Sequence, residues 1–278
     1  MKPLTTTSSA HFVAGFQANP ALVGIGVQDY LNRAPVKQFI EGTPPFNELR
    51  VCLLQEAEQY VLLAQNCYSQ GLEGLRVGSA AWSMVSFYYS AFFATKAILG
   101  TYGCWMSAPR RWIEVVDATA GSLKLAYHQS LYPTQARGSH KVAWAAYYQV
   151  MSKLSNFLTS PDAIVAKTPV NSQESWLIDT RNDVNYEPQV AFKIGSEFES
   201  SFRPTAIPNS LRGRLSTMLQ VSRACNVFAK ENAVRVGLST GVWNPEPTRV
   251  AWVQNRVLSP QHPLLVAYRQ KEMARLAF

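Results

Sequence analysis

Nineteen consecutive residues without a charge, Val77 to Thr95, constrain this chain more than any other stretch. A run of that length belongs in a protein core or in a membrane. Ser79, Ser83, Ser86, Ser90 and two tyrosines interrupt it, so we expect a central bundle helix rather than a membrane span. On a helical wheel over Ser79 to Leu99, Trp82, Val85, Tyr89, Phe92, Phe93 and Lys96 form one stripe. Ser79, Ser83, Ser86, Ser90, Ala94 and Ala97 form an adjacent one. Small residues in a row let a second helix come close, and the aromatic stripe fills a core or a dimer interface. Lys96, at the end of the aromatic face, either snorkels near the helix C-terminus or meets a carboxylate or phosphate.

With 278 residues, 47% of them apolar, the chain can bury a core of its own. Cys52, Cys67, Cys104 and Cys225 have no short paired spacing, which argues for reduced thiols in a cytoplasmic protein and against a zinc knuckle or disulfide frame. The opening MKPLTTTSSAHFVAGF lacks the apolar core of a secretion signal. The sequence has no Walker or dinucleotide loop, no HExxH and no serine-hydrolase elbow, and its four histidines (His11, His128, His140, His262) are far apart. We therefore expect no metal and no cofactor.

Charge is distributed unevenly. Residues 1–199 carry 15 Lys+Arg against 15 Asp+Glu, whereas residues 200–278 carry 11 against 3. Such a C-terminal excess suits a polyanion such as RNA or DNA, with Arg212, Arg214, Arg223 and Lys230 as candidate nucleic-acid contacts. Because these basic residues are spread singly, a solvated basic surface is the other reading.

Along the chain, residues 1–46 read as an N-terminal extension with a frayed start and little regular structure. Asn47 is a candidate cap for a helix to about Ser69, ended by Gly71 and Gly74. After the 79–99 helix, residues 100–138 read as an insertion holding one short helix near Arg111 to Thr119. Helical spacing resumes over Ser139 to Leu158 and over Leu211 to Asn232. Residues 233–278 form a basic C-terminal extension with strand-like pieces at Ala233 to Leu238 and Arg249 to Val257, then a helix after Pro263.

The other informative stretch is Ser172 to Pro188. Asn171 and Glu174 suggest a capping box, and Pro188 predicts a helix end near Tyr186, followed by an extended piece, Gln189 to Ile194. Leu177, Arg181 and Val184 share one face, so an arginine lies among apolar residues. It needs either a structural partner, such as Asp179, Asp183 or a carboxylate from another helix, or a ligand that justifies its desolvation.

The Tyr88 to Ala97 segment (YYSAFFATKA), followed after an insertion by the Arg181-Asn-Asp-Val-Asn-Tyr186 helix end, resembles the HEPN family of helical domains over about residues 47–232. The resemblance implies a mainly α, up-and-down bundle with an insertion and a small irregular or α+β C-terminal extension. It implies homodimers, RNA as substrate, metal-independent cleavage by the RNA 2′-hydroxyl, and a defence or toxin setting. Arg181 and Asn182 match the first motif positions, and Tyr186 falls where the family has histidine. Tyrosine is a poor base near neutrality, so Tyr186 would contact substrate rather than move protons. His140 would then supply the missing group, or else it bonds to backbone as a helix-start residue. The alternative function is a non-catalytic scaffold or interaction subunit that binds a partner protein.

Overall fold

The computed structural model describes residues 1–17, 19–33, 36–108, 110–119, 121–132, 138–154, 176–193 and 209–235, with only the backbone considered at 176, 209–217, 230 and 233–235. Along them run α1 (Thr6–Ala14), a 3₁₀ turn (Pro20–Leu22), α2 (Val27–Arg33), β1 (Gln38–Ile40), α3 (Pro44–Arg76) and α4 (Ala80–Thr101). They continue through β2 (Trp105–Ser107), β3 (Arg111–Thr119), β4 (Ser122–His128), α5 (Ser139–Lys153), α6 (Trp176–Tyr186) and α7 (Asn209–Arg235). The chain is mainly helical with a small antiparallel sheet. Among the described residues no helix is long and apolar enough to cross a membrane.

The uncharged run forms the central helix, with α3, α5, α6 and α7 all packed against α4. A link of three residues, with Gly78 at φ 80°, turns α3 back along α4. Close approach depends on small residues. A Cβ at Gly71 would lie 2.5 Å from the Phe87 ring, and one at Gly100 would lie 2.9 Å from Ala57 Cβ. Gly71 and Gly74 therefore lie inside α3 as packing positions rather than ending it. Thr43, not Asn47, occupies the N-cap, with Pro44 and Pro45 in the first turn where missing N–H groups cost nothing.

Within the serine stripe, Ser90 forms a buried joint. Ser90 Oγ donates to Ala64 O on α3 (2.7 Å) and accepts from Asn226 Nδ2 on α7 (2.8 Å). Asn232 Nδ2 donates to Thr101 Oγ1 (3.1 Å), and Tyr102 Oη donates to Asn232 Oδ1 (3.1 Å). These bonds satisfy polar groups that an apolar interface could not bury.

Further expectations are corrected. The N-terminal residues are ordered into the core: Leu4 and Phe12 are fully buried, Thr5 caps α1, and Phe12 meets Phe46 edge-on at 6.1 Å. Residues 111–119 form a strand, not a helix. Ile113, Val115, Val116 and Thr119 favour extended backbone, and β3 pairs with β4 and β2 in the order β1-β4-β3-β2. Its register breaks at Val116, a bulge residue turned outward. The residues after Pro188 are helical over 188–193, not extended, because a proline that stops one helix is well suited to the first turn of the next. Residues 233–235 likewise continue α7 instead of starting a strand. Asn171, Glu174, residues 155–158 and the elements expected beyond 235 lie outside the described residues.

Candidate functional site

Two spacings of four place the site. On α4, Tyr88, Phe92 and Lys96 follow one another a turn apart; on α5, His140 and Trp144 do the same. The His140 ring stacks on Phe92, with centroids 4.1 Å apart and planes within 9°. Its Nδ1 lies 2.6 Å from the Tyr88 hydroxyl. From α6, the Arg181 guanidinium sits 5.2 Å from the Tyr88 ring centroid and 5.7 Å from that of Tyr89. Helix α6 thus delivers Arg181 to α4, with Leu177 and Val184 buried on either side.

Arg181 makes no ion pair among the described residues, and its buried Nε has no hydrogen-bond partner there. The structural pairing with Asp179 or Asp183 is therefore not what holds it; the aromatic faces are. The His140 ring is likewise engaged by Tyr88 rather than by local backbone.

Protonation follows from burial and charge. Burial raises the Tyr88 phenol to about 12, opposed by the Trp144 indole and Arg181. Burial, then Arg181, then Lys96 lower His140 to about 4. At neutral pH the phenol keeps its proton and the imidazole is neutral. Arg181 and Trp144 carry only donors and both approach the Tyr88 oxygen, although neither Arg181 Nε nor Trp144 Nε1 completes a hydrogen bond. Tyr88 accordingly donates to His140 Nδ1, which leaves the ring proton on Nε2 as a donor without a partner among the described residues.

Next to this group lies a second network. Glu56 Oε1 accepts from Tyr60 Oη and from Trp105 Nε1 (2.8 Å each), and Oε2 accepts from the Val27 N–H (2.9 Å). Lys96 Nζ donates to the Tyr60 hydroxyl and lies 4.1 Å from the Tyr60 centroid. The Tyr60 hydroxyl bridges Lys96 to Glu56, and burial lowers the ammonium to about 8 against the electrostatic pull of Glu56.

Of the residues singled out in the sequence, Arg181 and His140 meet at Tyr88, and Lys96 joins them. Asn182 is half-buried, and Tyr186 is 72% exposed. Five positions after Arg181, Tyr186 points about 140° away round the helix. Arg223 is half-buried on α7; the side chains of Arg212, Arg214 and Lys230 lie outside the described residues. Tyr88, Trp144, Tyr60 and Glu56 were not among the expected site residues, although the spacings of four on α4 and α5 carry the signal for the first two. Among the described residues no group of His, Cys, Asp and Glu could hold a metal ion.

The fold defines a helical bundle protein with a small antiparallel sheet, and the site defines a cationic, aromatic cluster on its central helix. No family model matches the sequence, and the searches of curated proteins and of solved structures found no match.

Proposed function

We infer that this is a HEPN-like, RNA-directed protein that holds an RNA phosphate at Arg181 and His140. The observation that carries this reading is the convergence of Arg181 and His140 on Tyr88, with the arginine lacking any ion pair among the described residues. A half-buried guanidinium with no ion pair among the described residues, beside a neutral imidazole N–H, suits a phosphate oxygen. The resemblance supplies RNA as the class of phosphate; the C-terminal positive charge supports it. Homodimerisation and a defence or toxin setting belong to the same reading.

Cleavage is the further step of that reading. The 2′-oxygen would bond to phosphorus as the bond to the 5′-oxygen breaks, leaving a cyclic phosphate and a 5′-hydroxyl. A histidine lowered to about 4 is a weak base for the 2′-proton at neutral pH, so binding is better supported than turnover. The test is single-stranded RNA binding across a salt titration, with cleavage assayed in EDTA. We expect affinity to fall with salt and the salt slope to flatten by about 0.7 in Arg181→Ala, the loss of one single-strand phosphate contact. Binding that ignores both salt and Arg181 overturns the reading; RNA left intact by wild-type protein removes the enzymatic part.

The scaffold reading also has an observation of its own. Trp82 (67% exposed), Tyr186 and Phe192 (77%) present apolar rings to solvent, as an interaction subunit would. Normal RNA binding by Arg181→Ala, with assembly lost, would favour it.

A further inference from the structure

The aromatic stripe of α4 is not sealed in the core. Ser86, Tyr89, Phe93 and Lys96 are all half-buried, and Trp82, on the same face, is largely exposed. Their spacing of four, three, four and three keeps them on one side of the helix. Tyr60 from α3 extends the row. Tyr60 and Phe93 stack with centroids 5.9 Å apart and planes within 12°, and Phe93 and Tyr89 stack at 5.9 Å within 29°. A cation stands at each end: Lys96 over Tyr60 at 4.1 Å, and Arg181 over Tyr89 at 5.7 Å. Neither cation forms an ion pair among the described residues.

We propose that this row is a track for single-stranded RNA: Arg181 and Lys96 each take one phosphate of the same strand, and bases between them lie against the Tyr89–Phe93 side of the row. The proposal rests on the reading that Arg181 binds RNA phosphate, and it adds Lys96, the direction of the strand along α4, and selection of single strands over duplex. Aromatic surface combined with spaced cations suits unpaired bases, because every base has a π-face, whereas a duplex hides those faces in its own stack. His140, between the cations on Phe92, offers Nε2–H to the same backbone. The half-exposure of the row is what a purely structural cluster would not require. The two cations give the strand the opposite charge it needs.

Fluorescence anisotropy with a labelled oligouridine of about 8 nucleotides, a length within one single-strand site, tests this directly. The probes are that strand and a GC-rich RNA hairpin whose stem stays duplex under the assay conditions; the proteins are wild type, Lys96→Met, Lys96→Arg, Arg181→Met and Phe93→Leu. Circular dichroism confirms that each variant is folded. Wild type should prefer the single strand by about tenfold or more. Lys96→Met should weaken single-strand binding several-fold and flatten its salt slope, and Lys96→Arg should restore both. Phe93→Leu should weaken binding with the salt slope unchanged. Equal binding of strand and duplex, or wild-type binding by folded Lys96→Met, overturns the track. If Arg181→Met alone weakens binding, the phosphate site stands and the track falls; if neither cation matters, both readings fall.

Discussion

The Tyr88 hydroxyl and His140 Nδ1 stand 2.6 Å apart across 52 residues of sequence, and the two rings stack within 16° of parallel. The bond ties α5 to the central helix and fixes which nitrogen of His140 carries the proton. Tyr88→Phe keeps the ring stack and removes only the hydroxyl. We expect a loss of about 1–2 kcal/mol in urea unfolding with an unchanged m-value. Nitrogen NMR of the histidine should show the Nε2–H tautomer of wild type become mixed. An unchanged tautomer in the variant would refute the assignment.

Lys96 and His140 share a sign. Both fold with their charged form disfavoured, Lys96 near 8 and His140 near 4, so the unfolded chain binds more protons than the native state between each value and the ordinary one. Stability therefore rises with pH between about 4 and 6.5 through His140, and again between about 8 and 10.5 through Lys96. Lys96→Met removes the cost of burying the ammonium. At pH 7 it should stabilise the fold by roughly 1–2 kcal/mol and flatten the alkaline rise. A variant less stable than wild type, with the alkaline slope intact, would show that Lys96 pairs productively in the fold.

Gly71 separates helix propensity from packing. Alanine there gains about 1 kcal/mol of propensity, yet its Cβ would lie 2.5 Å from the Phe87 ring, which is itself fully buried. Overpacking a fixed aromatic ring costs about 1–3 kcal/mol, so Gly71→Ala should lower the thermal midpoint. A midpoint equal to or above that of wild type would mean that the α3–α4 contact yields.

The same glycine shows what local sequence can and cannot reveal. Read along the chain, Gly71 and Gly74 end a helix; read across to α4, they make room for Phe87 and Ser83. The uncharged run gave away the central helix because its length and stripes are local properties. Arg181 between Leu177 and Val184 gave away the buried face of α6 for the same reason. Strand β3 stayed hidden because its alternation is short and only the pairing with Leu123, Leu125 and Tyr127 on β4 gives it meaning. The site was half legible: Arg181 and His140 stood out by type, but their meeting point, Tyr88, looks like any core aromatic until α5 and α6 are placed on it.

Ser90 joins three helices with one hydroxyl, donating to Ala64 O and accepting from Asn226 Nδ2. Ser90→Ala leaves the buried Asn226 amide with only the Ser222 carbonyl (2.8 Å) and should cost about 2 kcal/mol. Asn226→Ala should cost a similar amount, and the double variant should lose less than the two together. A double-mutant cycle measures this, with a coupling of about 1 kcal/mol expected. Strict additivity would show that the Ser90–Asn226 bond contributes nothing to the α4–α7 joint.

Tyr186 tests which residues form the site. The family resemblance puts it in the histidine's place, whereas the helix turns it about 140° from Arg181 and leaves it 72% exposed. Substituting an exposed residue with no role changes stability by no more than about 0.5 kcal/mol. Tyr186→Ala should therefore unfold as wild type does and bind single-stranded RNA within about twofold of it, well below the several-fold loss that one lost phosphate contact brings. His140→Ala should instead weaken binding, because it removes the Nε2–H donor beside Arg181. If Tyr186→Ala weakens binding while His140→Ala does not, the RNA lies along the outer face of α6, and the cluster at Tyr88 is a structural joint.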